Sequence, residues 1–255
     1  MNERTYIGID IGSTAAKVVA LGRGATRFVL PTGWSSPETA REIARRLSEG
    51  GIRTEDAVVV STGYGRRAVE YAAKQVTEIT CHAAGCAESH PTCTVIDVGG
   101  QDTKTIHIRG GAVDDFLMND KCSAGTGKFI EVMANRLECG IDELFALAER
   151  GTVLPISSLC TVFAESEIIG YIGAGRPRED IAAGIVDSVA EKVAQMAGKL
   201  PLEEEVLLTG GLSHLPYFAA ALGRKLRHEV RGLPDGRYAG AYGAALLARK
   251  EGCPS

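Results

Sequence analysis

The sequence has no broad basic field, no long apolar run and no leader-like start, and each absence removes a class of function. Its 28 Lys and Arg against 32 Asp and Glu leave a net charge of −4. The pairs Arg45-Arg46 and Arg66-Arg67 are too short to form a patch, so neither DNA nor RNA is expected as a ligand. No apolar stretch approaches the roughly 20 residues that cross a bilayer, and no membrane partner is expected. The chain enters an apolar strand, Tyr6 to Ile11, without a basic n-region, an h-region or a cleavage site, which points to a cytoplasmic protein. A disulfide framework is therefore not expected of the seven cysteines, at 81, 86, 93, 122, 139, 160 and 253, because that compartment keeps thiols reduced. Metal ligation, redox work and plain burial remain open for them.

What is present is a repeat. Tyr6-Ile-Gly-Ile-Asp10-Ile-Gly12 is a short buried strand, and Lys17 to Leu21 resumes strand character after the Ser13-Thr14 turn, giving a hairpin. Ser36 is expected to cap a helix running to about Leu47, with Pro37 at its first position. A strand over Ala57 to Thr62 and a helical stretch from Arg67 to about Gln75 follow. Thr94 to Lys104 then restarts the opening pattern, apolar-Asp-apolar-Gly followed by hydroxyl and lysine, with Thr105-Ile-His-Ile as the hairpin partner. Beyond it the periodicity predicts a strand over Asp114 to Met118 and helices over Ser123 to Leu137 and Asp142 to Ala148. Helices after Cys160 and over Asp180 to Lys199 come next, then a strand over Glu205 to Gly211 and helices over Pro216 to Leu226 and Gly240 to Lys250. Two copies of strands followed by helices imply an α/β fold of two similar lobes. The boundaries read as 1–92 for the first lobe and 93–239 for the second, with the C-terminal helix 240–252 available to pack against the first.

Both repeats put an acid at a strand end and glycines in the next turn: Asp10, Gly12, Ser13 and Thr14 in one, Asp97, Gly99, Gly100, Gln101, Asp102 and Thr103 in the other. Glycine lets backbone amides approach phosphate oxygens that a side chain would block. Facing one another, the two turns would clamp the triphosphate of ATP, and the acids suit Mg²⁺ held largely through water. Thr209-Gly210-Gly211 after an apolar strand would bring bare backbone to the nucleoside, although a strand followed by glycines is also simply a turn. No Cys or His adjoins the phosphate turns as a nucleophile, so hydrolysis by a positioned water is the natural chemistry, and Gln101 can orient that water. Asp10, Asp97, Gln101 and Asp102 are the catalytic candidates. Lys17 and Lys104 either neutralise phosphate charge or stand in solvent. In this order the motifs resemble those of the actin, Hsp70 and sugar-kinase superfamily, which implies two ribonuclease-H-like lobes with the nucleotide between them.

The stretch Asn119-Asp-Lys-Cys122-Ser-Ala-Gly-Thr-Gly-Lys128-Phe129 contains a Gly-Lys pair, but a Walker A loop needs glycine four residues before Gly127 and a hydroxyl after Lys128. Ser123 and Phe129 stand there instead. Cys122 reads as directly preceding a helix capped by Ser123, where the positive end of the helix dipole favours a thiolate. Cys160 repeats the arrangement before Thr161. Two thiolates are half of the four that a [4Fe-4S] site needs, and a twofold dimer could supply both pairs. The alternative is that both are small buried hydrophobes.

Taken with Ser61 to Arg66 and Thr77 to Ala83, the stretches Asp97 to Lys104 and Asn119 to Phe129 resemble the ATP-dependent activators of 2-hydroxyacyl-CoA dehydratases, a group that includes benzoyl-CoA reductase ATPase subunits and reductases of double-cubane cluster proteins. That resemblance implies a homodimer holding one [4Fe-4S] cluster through residues matching Cys122 and Cys160. It further implies an upstream donor such as ferredoxin or flavodoxin and ATP-driven electron transfer to a partner iron-sulfur protein. A small-molecule kinase and an actin-like polymer on the same scaffold are the competing readings. Cys81, His82, Cys86, His90 and Cys93 lie close in sequence but lack the CxxC pair usual in structural zinc sites. Glu165 and Glu167 are expected on a solvated helix face.

Overall fold

The structure is a computed structural model that describes residues 4–157 and 160–252. It separates into two compact units. One comprises the chain up to Thr92, Ile108–Asp115 and the segment from Arg237 onward; the other comprises Cys93–His107 and Phe116–Gly236.

In the first unit, β1 (Thr5–Ile11), β2 (Ala15–Leu21), β3 (Thr26–Pro31), α1 (Ser36–Glu49), β4 (Ala57–Thr62), β5 (Lys74–Gln75) and α2 (Glu78–Ala87) follow in order. The strands form one sheet in the order β3-β2-β1-β4-β5, with β1 antiparallel to β2 and parallel to β4. Strand pleating sends alternate residues to opposite faces. Ile7, Ile9, Ile11 and Val59 therefore meet Ile43 and Leu47 of α1, while Val58 and Val60 meet Cys81 of α2 and Ala244 and Ala248 of the last helix, α8 (Ala239–Glu251). A β-carbon on Gly8 would lie 1.9 Å from the Ala241 carbonyl oxygen, and one on Gly243 would lie 1.7 Å from that of Cys81. These bare positions let α8 ride directly on β1 and α2.

The second unit, with the end of β7 and the start of β8 assigned to the first, carries β6 (Cys93–Val98), β7 (Thr103–Arg109), β8 (Ala112–Asn119), α3 (Gly127–Arg136), α4 (Ile141–Ala148), α5 (Thr161–Gly173), α6 (Arg178–Ala197), β9 (Val206–Gly210), α7 (Pro216–Leu226) and β10 (Val230–Gly232). Its sheet order, β10-β9-β6-β7-β8, repeats the first sheet position for position, with β6 and β9 parallel as β1 and β4 are. Ile96, Val98 and Leu208 anchor a core that takes Phe129, Met133, Leu144, Val186, Val189 and Phe218 from the helices.

Several local expectations change. The cap of α1 is Ser35, whose Oγ accepts from the Glu38 amide, rather than Ser36. The expected helix over Arg67–Gln75 is only a 3₁₀ turn, Arg66–Ala68, because the chain returns to the sheet: the Ala73 amide donates to Val59 O at 2.8 Å, and Lys74 and Gln75 pair with β4. Strands β3, β5 and β10 and helix α2 are additions to the sequence reading.

Candidate functional site

Each unit builds the same acid-glycine turn. After β1 the Gly12 amide donates to Ala15 O at 3.2 Å, and after β6 the Gly99 amide donates to Asp102 O at 2.9 Å. Seven residues beyond each strand-end aspartate stands a lysine that pairs with it: Lys17 Nζ lies 3.0 Å from Asp10 Oδ2, and Lys104 Nζ lies 3.4 Å from Asp97 Oδ2. The antiparallel return of the hairpin brings them together, as the register Asp10 opposite Lys17 shows. Lys104 is only 2% exposed and also lies 2.8 Å from Asp102 Oδ2, at an angle too poor for a hydrogen bond. It is thus a buried cation between two carboxylates and not a solvated strand residue. Lys17 keeps partial access to water.

The repeat extends to the neighbouring parallel strand. Asp10 sits opposite Thr62 and Asp97 opposite Thr209. Thr209 Oγ1 donates to Asp97 Oδ1 at 2.8 Å. Next come Gly63 at φ +88 and Gly210 at φ +86. A β-carbon on Gly63 would lie 2.6 Å from Asp10 Oδ1, and one on Gly210 would lie 3.1 Å from Asp97 Oδ1. Thr62-Gly63 is therefore the first-unit counterpart of Thr209-Gly210. Sequence reading missed this pairing, although the shared Thr-Gly after an apolar strand was its signal.

Around the first turn, Thr32 Oγ1 donates to Gly12 O at 2.7 Å and its amide donates to Thr14 O at 3.1 Å. Ser13 is half-buried and Thr14 is exposed. In the second, Gly99 and Gly100 are half-buried, Gln101 is exposed, and Asp97, Asp102 and Thr103 are buried; Gly211, just after β9, is exposed. The exposed amide of Gln101 is free to meet solvent, while the aspartates are fixed.

The second turn is joined to the cysteine segment. Gly127 N donates to Gly99 O at 2.9 Å, Lys128 N donates to Gly100 O at 2.8 Å, and Thr103 Oγ1 donates to Gly125 O at 2.6 Å. The expected helix start at Ser123 is thereby corrected. Gly125 at φ +82 turns the chain, Thr126 takes the cap position, and α3 begins at Gly127. The first amides of α3, which no helix carbonyl can satisfy, are taken by the glycine turn, so the helix does not start at Cys122. Cys122 lies instead in a loop held by Asn119, whose Nδ2 donates to Cys122 O at 2.8 Å and whose Oδ1 accepts from the Cys122 amide at 3.3 Å. Cys160 itself occupies the cap position of α5, so Thr161 is the first residue of that helix and not its cap.

Ser123 Oγ and Thr161 Oγ1 stand 2.7 Å apart, so the residues following each cysteine touch. Both thiols are exposed, which removes the reading of small buried hydrophobes. Among the described residues no three His, Cys, Asp or Glu converge to hold a metal ion. Glu165 and Glu167 are not merely solvated. Glu165 accepts from Arg136, and Glu167 accepts from the Ser157 amide and hydroxyl, both at 2.9 Å, in the segment leading to Cys160.

Cys81, Cys86 and Cys93 are buried, and burial pushes the Cys81 and Cys93 thiols up to about 12. His82 is also buried, with Nδ1 3.0 Å from Glu78 O. Cys253 lies outside the described residues.

Residues 7–248 match the BadF/BadG/BcrA/BcrD ATPase family. The chain belongs to that family. The (R)-2-hydroxyglutaryl-CoA dehydratase activating ATPase of Acidaminococcus fermentans is 42% identical over 96% of this chain and 97% of its own. The crystal structure of component A of that organism's dehydratase superposes with a TM-score of 0.91 at 41% identity, covering 97% of this chain and 98% of the other. An activator of the 2-hydroxyisocaproyl-CoA dehydratase from Clostridium difficile, with bound ADPNP, gives 0.90 at 38% identity over 97% and 95%. A glucokinase of the ROK family from Streptomyces griseus, at 15% identity and a TM-score of 0.59 over 96% of this chain and 99% of its own, shares the fold alone. The fold is thus that of the actin, Hsp70 and sugar-kinase group, and the family is one of ATPases. Among the described residues no helix is long and apolar enough to cross a membrane.

Proposed function

We propose that this protein is an ATP-hydrolysing electron donor that activates a partner iron-sulfur enzyme of the 2-hydroxyacyl-CoA dehydratase type, as its relatives' names suggest. In this reading Gly12, Ser13, Thr14, Lys17, Gly99, Gly100, Thr103, Lys104, Gly210 and Gly211 bind ATP. Asp10 and Asp97 hold Mg²⁺ through water, and Gln101 and Asp102 position the attacking water. Cys122 and Cys160, with the same pair from a second copy, hold one [4Fe-4S] cluster in a homodimer. The cluster, when bound, supplies a low-potential one-electron centre, refilled by a carrier such as ferredoxin or flavodoxin.

The observation that carries the reading is the direct bonding of the glycine turn to the segment after Cys122 through Gly127, Lys128 and Gly125. A shift of Gly99 or Gly100 on ATP hydrolysis must move the start of α3 or break its first hydrogen bonds. The Ser123–Thr161 contact carries the same movement to Cys160. Nucleotide state thereby biases the arrangement of the two sulfurs.

Purification without oxygen, followed by iron and sulfide analysis, tests this. About four irons per two chains are expected, lost in Cys122→Ser and in Cys160→Ser while ATP hydrolysis persists. Iron-free wild-type protein whose ATP turnover depends on a small hydroxyl substrate would point to a kinase instead.

A further inference from the structure

Beside Cys122 lies a cavity of about 450 Å³, within the roughly 300–1,000 Å³ range of small-molecule sites. Its wall includes Cys122, Thr103, Lys192 and Lys199, with Met118 and Met196 among its apolar surfaces. No Asp or Glu lines it, although the chain as a whole has more acids than bases. Glu191, the acid next to Lys192, is committed to Lys225 at 3.2 Å, and Lys225 also takes Asp187 at 2.9 Å. Neither Lys192 nor Lys199 forms an ion pair among the described residues. The Lys192 stem is held against the cysteine loop, since a β-carbon on Gly125 would lie 3.1 Å from Lys192 Cβ.

Two lysines on a wall that includes no carboxylate, beside thioether and aliphatic surfaces, select for negative charge joined to an apolar body. We infer that this cavity binds a small organic anion, a carboxylate, sulfonate or phosphate ester with an apolar portion. An occupant touches at once the loop of Cys122 and the strand that begins at Thr103, the two segments joined by the Thr103–Gly125 hydrogen bond. It is thus placed to report on, or set, the link between the glycine turn and the cysteine loop. The inference does not rest on the electron-transfer reading, because the cavity needs neither iron nor nucleotide.

The test uses 8-anilinonaphthalene-1-sulfonate and its uncharged analogue N-phenyl-1-naphthylamine, which lacks only the sulfonate, in fluorescence titrations of the full chain. Saturable binding of the sulfonate at one site per chain is expected, with no matching site for the amine. The double substitution K192Q/K199Q, on the surface of α6 and just beyond its end, should weaken the sulfonate at least about tenfold. In chain prepared without iron, the sulfonate should block iodoacetamide at Cys122 in proportion to occupancy and leave Cys160 unaffected, as read by peptide mass spectrometry. Equal binding of the amine, unchanged affinity in the double variant, or equal alkylation of Cys122 with and without the probe would overturn the inference. The iron content of the wild type is measured separately, so loss of the electron-donor reading leaves this result standing.

Discussion

Lys104 shows how far a single residue can be read before folding. Its spacing from Asp97 suggested a role beside phosphate, yet equally a solvated position. The structure buries it between Asp97 and Asp102. Removing one partner of a buried ionic group leaves uncompensated charge, which costs about 3–5 kcal/mol. Lys104→Met should therefore lower unfolding stability in urea by that order, whereas Lys17→Met, with a partly exposed lysine, should lower it much less. The cysteines divide in the same way. Cys81 and Cys93 are neutral buried thiols, while Cys122 and Cys160 are exposed. Brief alkylation of iron-free chain at pH 8 should label the exposed pair and spare the buried one. Because burial raises the Cys81 and Cys93 thiols from 9.0 to about 12, only the unfolded chain ionises there above about pH 9. Their contribution to stability is complete below that pH and is lost as pH climbs toward 12. A Cys81→Ala, Cys93→Ala chain should lose less stability between pH 8 and 10.5, as urea melts at each pH would show.

Among the elements, the long amphipathic helices and apolar strands were legible, with α4, α6 and α7 beginning or ending within a residue or two of their expected bounds. The failures have a common cause, which is competition from distant backbone. The start of α3 moved from Ser123 to Gly127 because the carbonyls of Gly99 and Gly100 claim its first amides, and the Arg67 stretch lost its helix to the sheet edge. Helix contact through glycine offers a sharp contrast. Gly243→Ala would place a methyl 1.7 Å from Cys81 O, which should cost about 1–3 kcal/mol or more. Gly170→Ala, inside α5 with nothing within 4 Å, should instead add about 0.5–1 kcal/mol through helix propensity. Thermal melts of the two variants check both signs.

For the whole molecule, the matched sheet orders and the paired Asp-Gly-Lys turns express one repeat used twice. A water-driven ATPase with Gln101 orienting the nucleophile should lose about 10²-fold in kcat on Gln101→Ala, with little change in KM. Phosphate release without any added sugar or alcohol measures this. A requirement for such a substrate would contradict the water-driven reading.

Order along the chain settled the repeat and both acid-glycine turns, because strand periodicity and turn chemistry are local. Which groups meet was decided only by folding. Thr209 bonding to Asp97, Ser123 reaching Thr161 and the glycine turn capturing the head of α3 join residues up to 112 positions apart. No spacing rule spans such distances, since hydrogen bonds of this kind exist only once both sheets have set their registers.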